Sequence, residues 1–142
     1  MYHLIYTSYA NREFSESDLF ELLDRSRATN KKIGITGMLL YLQGKFIQVL
    51  EGSKEGVKDI YQIISLDNRH KKVTTIIEGE SPKRLFKDWS MGFKKLTDEE
   101  FINQSGFEDI DDFFENQLKV ENKSMVLIFL QLFYKKNNVD YA

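Results

Sequence analysis

The chain has 142 residues, 42% hydrophobic and 30% charged, with a net charge of −2, the profile of one globular domain long enough to bury its own core. That charge balance gives no general electrostatic reason to bind nucleic acid or acidic membranes. With no cysteine and only His3 and His70 as histidines, disulfides, thiolate catalysis and cysteine-ligated metals are excluded and little remains for a zinc site. Residues 3–8 are β-branched and aromatic, the pattern of a strand. Ser15 followed by Asp18 has the form of a capping box, so a helix is expected to start there. Leu19, Leu22, Leu23 and Ser26 give that helix one face, and it is expected to end near residues 30–32, before Gly34. Residues 35–42 are almost continuously apolar, Gln43-Gly44 reads as a two-residue turn, and residues 45–51 return as a strand. Alternation puts Phe46, Gln48 and Leu50 on one face of that strand and Ile47, Val49 and Glu51 on the other.

Val57, Ile60, Tyr61 and Ile64 repeat the helical spacing, and residues 67–70 form a polar break. Residues 73–77 read as a strand, Ser81-Pro82 as a loop, and residues 89–93 as a last strand with Trp89, Met91 and Phe93 on one face. The order βαββαββ is that of a ferredoxin-like α+β sandwich, expected to bury one face of its sheet under two helices. After Leu96 the character changes. Thr97 and Glu100 form a second capping box, and a short helix is expected to end at Gly106. Residues 125–134 are apolar on every helical side yet too short to span a bilayer. The chain is therefore divided into residues 1–96 and a C-terminal helical extension, 97–142. The apolar run in the extension calls for self-association or a partner. The first residues lack the basic segment and apolar stretch of a signal peptide, so a cytoplasmic protein is expected.

Gln48 is the sharpest anomaly. An amide buried without partners costs about 1–3 kcal/mol, and as both donor and acceptor it can bond two unlike groups. A glutamine at the edge of the core that meets backbone groups is one reading; a glutamine serving a ligand is the other. Taken singly, Tyr6 reads as a core tyrosine whose hydroxyl reaches water, and Asn30 as a helix cap. Trp89 and Met91 read as packing, and Arg69-His70 as neutralising a helix C-terminus.

Together these residues form an ordered pattern. Asn30, two residues, then Ile33-Gly34-Ile35-Thr36-Gly37-Met38-Leu39-Leu40 come first. Gly44-Lys45-Phe46-Ile47-Gln48-Val49-Leu50-Glu51-Gly52 and Asp67-Asn68-Arg69-His70 follow. Arg84-Leu85-Phe86, two residues, then Trp89-Ser90-Met91 close the series. This set resembles the BLUF family of bacterial blue-light photoreceptors from Tyr6 to about Phe93. The resemblance implies a ferredoxin-like fold and a non-covalently bound flavin, usually FAD with FMN as the alternative, held between the two helices and the sheet. It implies that Tyr6 donates an electron and a proton to the light-excited flavin. It places Gln48 between that tyrosine and the flavin N5 and C4 carbonyl, and Asn30 on the ring's polar edge. Asp67, Arg69 and His70 border the ribityl-phosphate side. Ser26, Leu39, Phe46 and Ile64 line the pocket, and Trp89 and Met91 pass the signal outward.

The implied function is a switch and not an enzyme: rearrangement of the Gln48 hydrogen bonds shifts absorption to the red and leaves no net chemistry. No catalytic or metal-binding residue is implied. Only about 45 residues follow the sensor, so the signal is expected to leave by protein contact, through homo-oligomers built on the C-terminal helices or a downstream partner. Two departures from the family pattern, Thr29 before the asparagine and Ile63 where an arginine is frequent, bear on the phosphate side. Two other functions compete. A small ferredoxin-like hydrolase of the acylphosphatase type would use Asn11-Arg12 in a phosphate-binding loop. A redox-sensing flavoprotein would keep the flavin without the light response.

Overall fold

The computed structural model describes residues 1–87, 90–119, 128–130 and 132. In chain order the elements are β1 (Tyr2–Ala10), α1 (Glu16–Ile33), β2 (Thr36–Leu42), β3 (Lys45–Gly52), α2 (Lys54–Leu66), β4 (His70–Glu80), β5 (Gly92–Lys95), α3 (Asp98–Ser105) and α4 (Ile110–Lys119). The capping boxes form as the sequence dictates. Ser15 Oγ accepts from the Asp18 amide while the Asp18 carboxylate accepts from the Ser15 amide. Thr97 and Glu100 do the same at α3. Gly34, at φ 71°, closes α1 in the left-handed region that favours glycine.

The strands make one five-stranded sheet in the order β4-β1-β3-β2-β5. Every neighbouring pair is antiparallel except β2 and β5, which run parallel. The result is the expected α+β ferredoxin-like arrangement with β5 added beside β2. Two boundaries differ from the sequence reading. β1 runs on to Ala10, which pairs with His70, so β4 begins at His70 inside the expected polar break. β5 begins at Gly92, where pairing with Met38 of β2 starts, so Met91 precedes the strand. Trp89 lies outside the described residues.

Both faces of the sheet are covered, which corrects the expectation of a single buried face. On one face Leu19, Leu22 and Leu23 of α1 and Val57 and Ile60 of α2 pack on Leu4, Tyr6, Leu39, Phe46 and Leu50. On the other, Phe101 of α3, Ile110, Phe113 and Phe114 of α4, and Phe129 and Leu130 pack on Ile5, Met38, Leu40, Ile47 and Val49. That double cover is why β3 is buried at every position. It also meets, within the chain, part of what the apolar run 125–134 requires: Phe129 and Leu130 are 3% and 0% exposed, although Ile128 remains 48% exposed. The rest of that run, 125–127, 131, 133 and 134, lies outside the described residues. Among the described residues no helix is long and apolar enough to cross a membrane.

Candidate functional site

Strand register builds the centre of the site. Tyr6 of β1 and Leu39 of β2 both pair with Gln48 of β3. Thr75 of β4 extends this row beyond Tyr6, and Phe93 of β5 extends it beyond Leu39. Directly opposite residues share a face of the sheet, so Tyr6, Gln48 and Leu39 stand side by side beneath α1 and α2. The Tyr6 hydroxyl donates to Gln48 Oε1. With its oxygen engaged there, the amide turns its nitrogen to Met91, and Nε2 donates to Sδ at 3.3 Å. Sulfur is a weak acceptor. Among the described residues it is the only acceptor that this amide, 4% exposed, has found.

Beside this pair a cavity of about 350 Å³ opens between α1 and α2, within the usual range for small-molecule sites. Leu22, Leu39, Ile60 and Ile64 give it apolar walls, Tyr6, Gln48 and Asn30 a polar floor, and Arg25, Asp67, Arg69 and His70 a charged rim. Nine of the ten residues named from the sequence as cofactor-binding line it: Tyr6, Ser26, Asn30, Leu39, Gln48, Ile64, Asp67, Arg69 and His70. The exception is Phe46. It lies on the expected face but stands behind His70, edge-on to that ring at 5.0 Å and packed against Phe14 and Tyr41. It supports the wall without forming it.

Hydrogen bonds tie the segment before β5 to the site. Asn30 Nδ2 donates to the Ser90 carbonyl at 2.9 Å, Arg27 Nε to the Met91 carbonyl at 2.9 Å, and Gln48 Nε2 to the Met91 sulfur. Met91 is fully buried on the helix face. Gly37 makes room for this arrangement: a Cβ there would run into the Val49 carbonyl oxygen and lie 3.4 Å from Met91 Cε. On the rim, Arg69 grips both oxygens of Asp67 while its amide donates to Oδ1. Ser8 Oγ and His70 Nδ1 are 2.9 Å apart.

Protonation follows from these surroundings. Burial, reinforced by Tyr61 and Asp67, pushes the Tyr6 phenol well above its ordinary value, so it holds its proton. Burial lowers His70, with Asp67 opposing and Arg69 assisting. The Arg69 hydrogen bonds hold Asp67 below the ordinary carboxyl value.

Sequence reasoning did not assign Leu22, Arg25, Thr29, Ile60 or Ile63 to the cavity. The signal was present: Leu22, Arg25, Ser26 and Thr29 form one stripe at i, i+3, i+4 and i+7, and Ile60, Ile63, Ile64 and Asp67 form its counterpart. The Asn11-Arg12 loop forms no phosphate cradle. Asn11 Nδ2 donates to the Asn68 carbonyl, and Arg12 pairs with Asp18 at 3.7 Å.

Residues 1–92 match the BLUF family, sensors of blue-light using FAD, and the chain belongs to that family. It is 36% identical over 89 residues to the beta subunit of photoactivated adenylate cyclase from Euglena gracilis. That match covers 62% of this chain but only 10% of the cyclase subunit. Among solved structures it resembles BlsA in its photo-activated state, with a TM-score of 0.80 and 25% identity over 98% of both chains. It also resembles BlrB, a BLUF protein, in its dark state, with a TM-score of 0.72 and 25% identity over 92% of both chains. The chain is a blue-light sensor that binds a flavin. Its cavity fits that group on its own evidence. A buried amide with one weak acceptor and a protonated phenol face an apolar slot, and the Asn30 side-chain oxygen has no partner among the described residues. A flat ring with polar edges answers those needs.

Proposed function

We propose that Tyr6 and Gln48 are the photochemical pair of this sensor and that Met91 reads the state of Gln48. The observation that carries this is the chain of contacts from the Tyr6 hydroxyl through the Gln48 amide, both on the cavity floor, to the Met91 sulfur behind it. A bound flavin supplies absorption of blue light and, once excited, a strong oxidant. Leu22, Leu39, Ile60 and Ile64 hold the ring by contact and exclude water. Asn30 and Gln48 meet its polar edge, and Arg69, Asp67 and His70 hold the ribityl-phosphate side. Tyr6 keeps a proton on its hydroxyl oxygen that it can pass to Gln48 Oε1 and take back, so that no proton is gained or lost over the cycle. Exchange of the amide's donor and acceptor ends then sets an oxygen against the Met91 sulfur. Two acceptors facing each other have no bond to keep them together, so Met91 is freed to move. Trp89, outside the described residues, belongs to the same segment.

We further propose that residues 1–96 are the sensor and 97–142 its output, and that the output acts through protein contact and not by catalysis. α3 and α4 lie on the sheet's second face, opposite the cavity, and Lys94 of β5 pairs with Glu100 of α3 at 3.2 Å. Exposed Ile102 and Ile128 on this side support assembly into homo-oligomers or docking of a downstream protein. A fold held without disulfides suits the reducing cytoplasm, where we place it. The test is an absorption spectrum of purified protein before and after blue light, with extraction of the bound flavin to identify FAD or FMN. A reversible red shift is expected. A colourless protein, or a flavin band that does not move, would sink the reading.

A further inference from the structure

We propose that Glu51 is a positioning residue that makes Arg84, Leu85 and Phe86 the fixed end of a lever between Gln48 and the core beneath α3 and α4. The inference rests on the photoreceptor reading above. Glu51 is a carboxyl group only 1% exposed, three residues beyond Gln48 on the same strand. It stands on the opposite face from Gln48, the face that carries the core under α3 and α4. Its oxygens accept from the Leu85 amide at 2.9 and 3.1 Å, the Phe86 amide at 2.6 Å and the Thr36 hydroxyl at 3.1 Å. Arg84 completes the joint: Nη1 donates to Thr36 Oγ1 at 2.7 Å and to the Gly34 and Glu51 carbonyls at 3.0 and 3.3 Å. Thr36 and Glu51 are themselves cross-strand partners, so the joint is seated on the β2–β3 ladder.

Phe86 and Met91 lie on opposite faces of the sheet. Phe86, fully buried, belongs to the core under α3 and α4. Met91, also fully buried, belongs to the core under α1 and α2 and touches Gln48. A segment with one buried side chain in each layer can transmit motion between them only if a fixed point lies along it. Glu51 supplies that point by holding two consecutive backbone amides of an otherwise irregular stretch. Without it, release of Met91 would be absorbed by slack in the loop and would not reach Phe86.

The test compares flavin-loaded wild type and Glu51→Gln in the dark and under blue light. The readouts are the reversible red shift and amide hydrogen exchange in α3 and α4. The wild type is expected to show the shift and a light-dependent change in exchange. Glu51→Gln keeps one acceptor oxygen but sets an NH2 group against the Leu85 amide, which loses its shorter contact and loosens the joint. It is expected to keep the shift and lose the light-dependent change. A variant that only loosened the fold would raise exchange equally in dark and light and would leave the difference in place; that result overturns the lever. So does a wild type whose exchange in α3 and α4 ignores light. If the wild type shows no red shift, the photoreceptor reading fails first and the lever with it. Arg84→Ala, which strips the joint while keeping Glu51, is expected to give the same uncoupling if Glu51→Gln does not fold.

Discussion

In the proposed photochemistry, Tyr6 and Gln48 divide the task by what each atom can do. The phenol can lose an electron and a proton; the amide can do neither, but it can turn. Tyr6→Phe removes one hydroxyl from a fully buried ring without changing its packing. The variant is expected to keep the flavin and lose the reversible shift, read directly from spectra. A redox sensor would keep its behaviour, so the same variant separates the two readings. His70 makes a different prediction. Burial holds its folded pKa below the ordinary 6.5. As pH falls through 6.5 the unfolded chain takes up a proton that the folded protein refuses, so stability declines on the acid side. Replacing His70 with Asn removes that term. The wild-type urea midpoint should therefore fall more than that of His70→Asn between about pH 7 and pH 5.5, the range in which histidine titrates. Equal slopes would show that His70 does not hold its neutral form.

At the scale of elements, the sequence carried the parts that repeat. Period-two alternation in β3 placed Gln48 under the helices and Glu51 away from them, and capping boxes located the starts of α1 and α3. What it could not show were pairings between distant strands. β4 starts at His70 because β1 extends far enough to pair with it, and β5 starts after Met91 because β2 sets where parallel pairing begins. Neither choice is local. The family resemblance puts Phe46 in the cavity and its strand face agrees, yet a face holds more than one row, and the His70 ring stands edge-on to it at 5.0 Å. Gly37 is a motif residue whose reason appears only in three dimensions. With a Cβ blocked by the Val49 carbonyl, Gly37→Ala must part β2 from β3 next to Gln48. Overpacking of this kind costs about 1–3 kcal/mol. The variant is expected to show a lower urea midpoint together with a changed flavin spectrum, because the strain falls beside Gln48.

Across the whole molecule, one polar cluster joins the sheet to its C-terminal cover. Lys45 opens β3 with an ammonium that is only 7% exposed and pairs with Asp111 of α4. Tyr9, its cross-strand partner, donates to the same Asp111 oxygen at 2.5 Å and accepts from Lys45 at 3.2 Å. The ring of Phe114 lies 5.4 Å from the ammonium. Nothing in the sequence marked Lys45 as buried, because a lysine after a Gln-Gly turn reads as solvated. Asp111→Ala leaves that ammonium with one hydroxyl and two ring faces in a site closed to water. The expected loss is about 1–3 kcal/mol, toward the low end because the Asp111 side chain is 50% exposed. Lys45→Met should cost less, since it removes the charge that needs a partner. The double variant should fall short of the sum, as residues in one network do. Burial tends to raise the Asp111 carboxyl, but the hydrogen bonds from Lys45 and Tyr9 outweigh it and the folded pKa is lowered. Its contribution is therefore complete above the ordinary 3.8 and is lost as pH falls below it. Urea unfolding of the four proteins at neutral pH and at about pH 3 measures this as a coupling energy that shrinks in acid. A coupling unchanged at about pH 3 would mean that the Asp111 carboxylate does not take up its proton there, and a coupling already absent at neutral pH would mean that the charged cluster has no part in fastening α4 to the sheet.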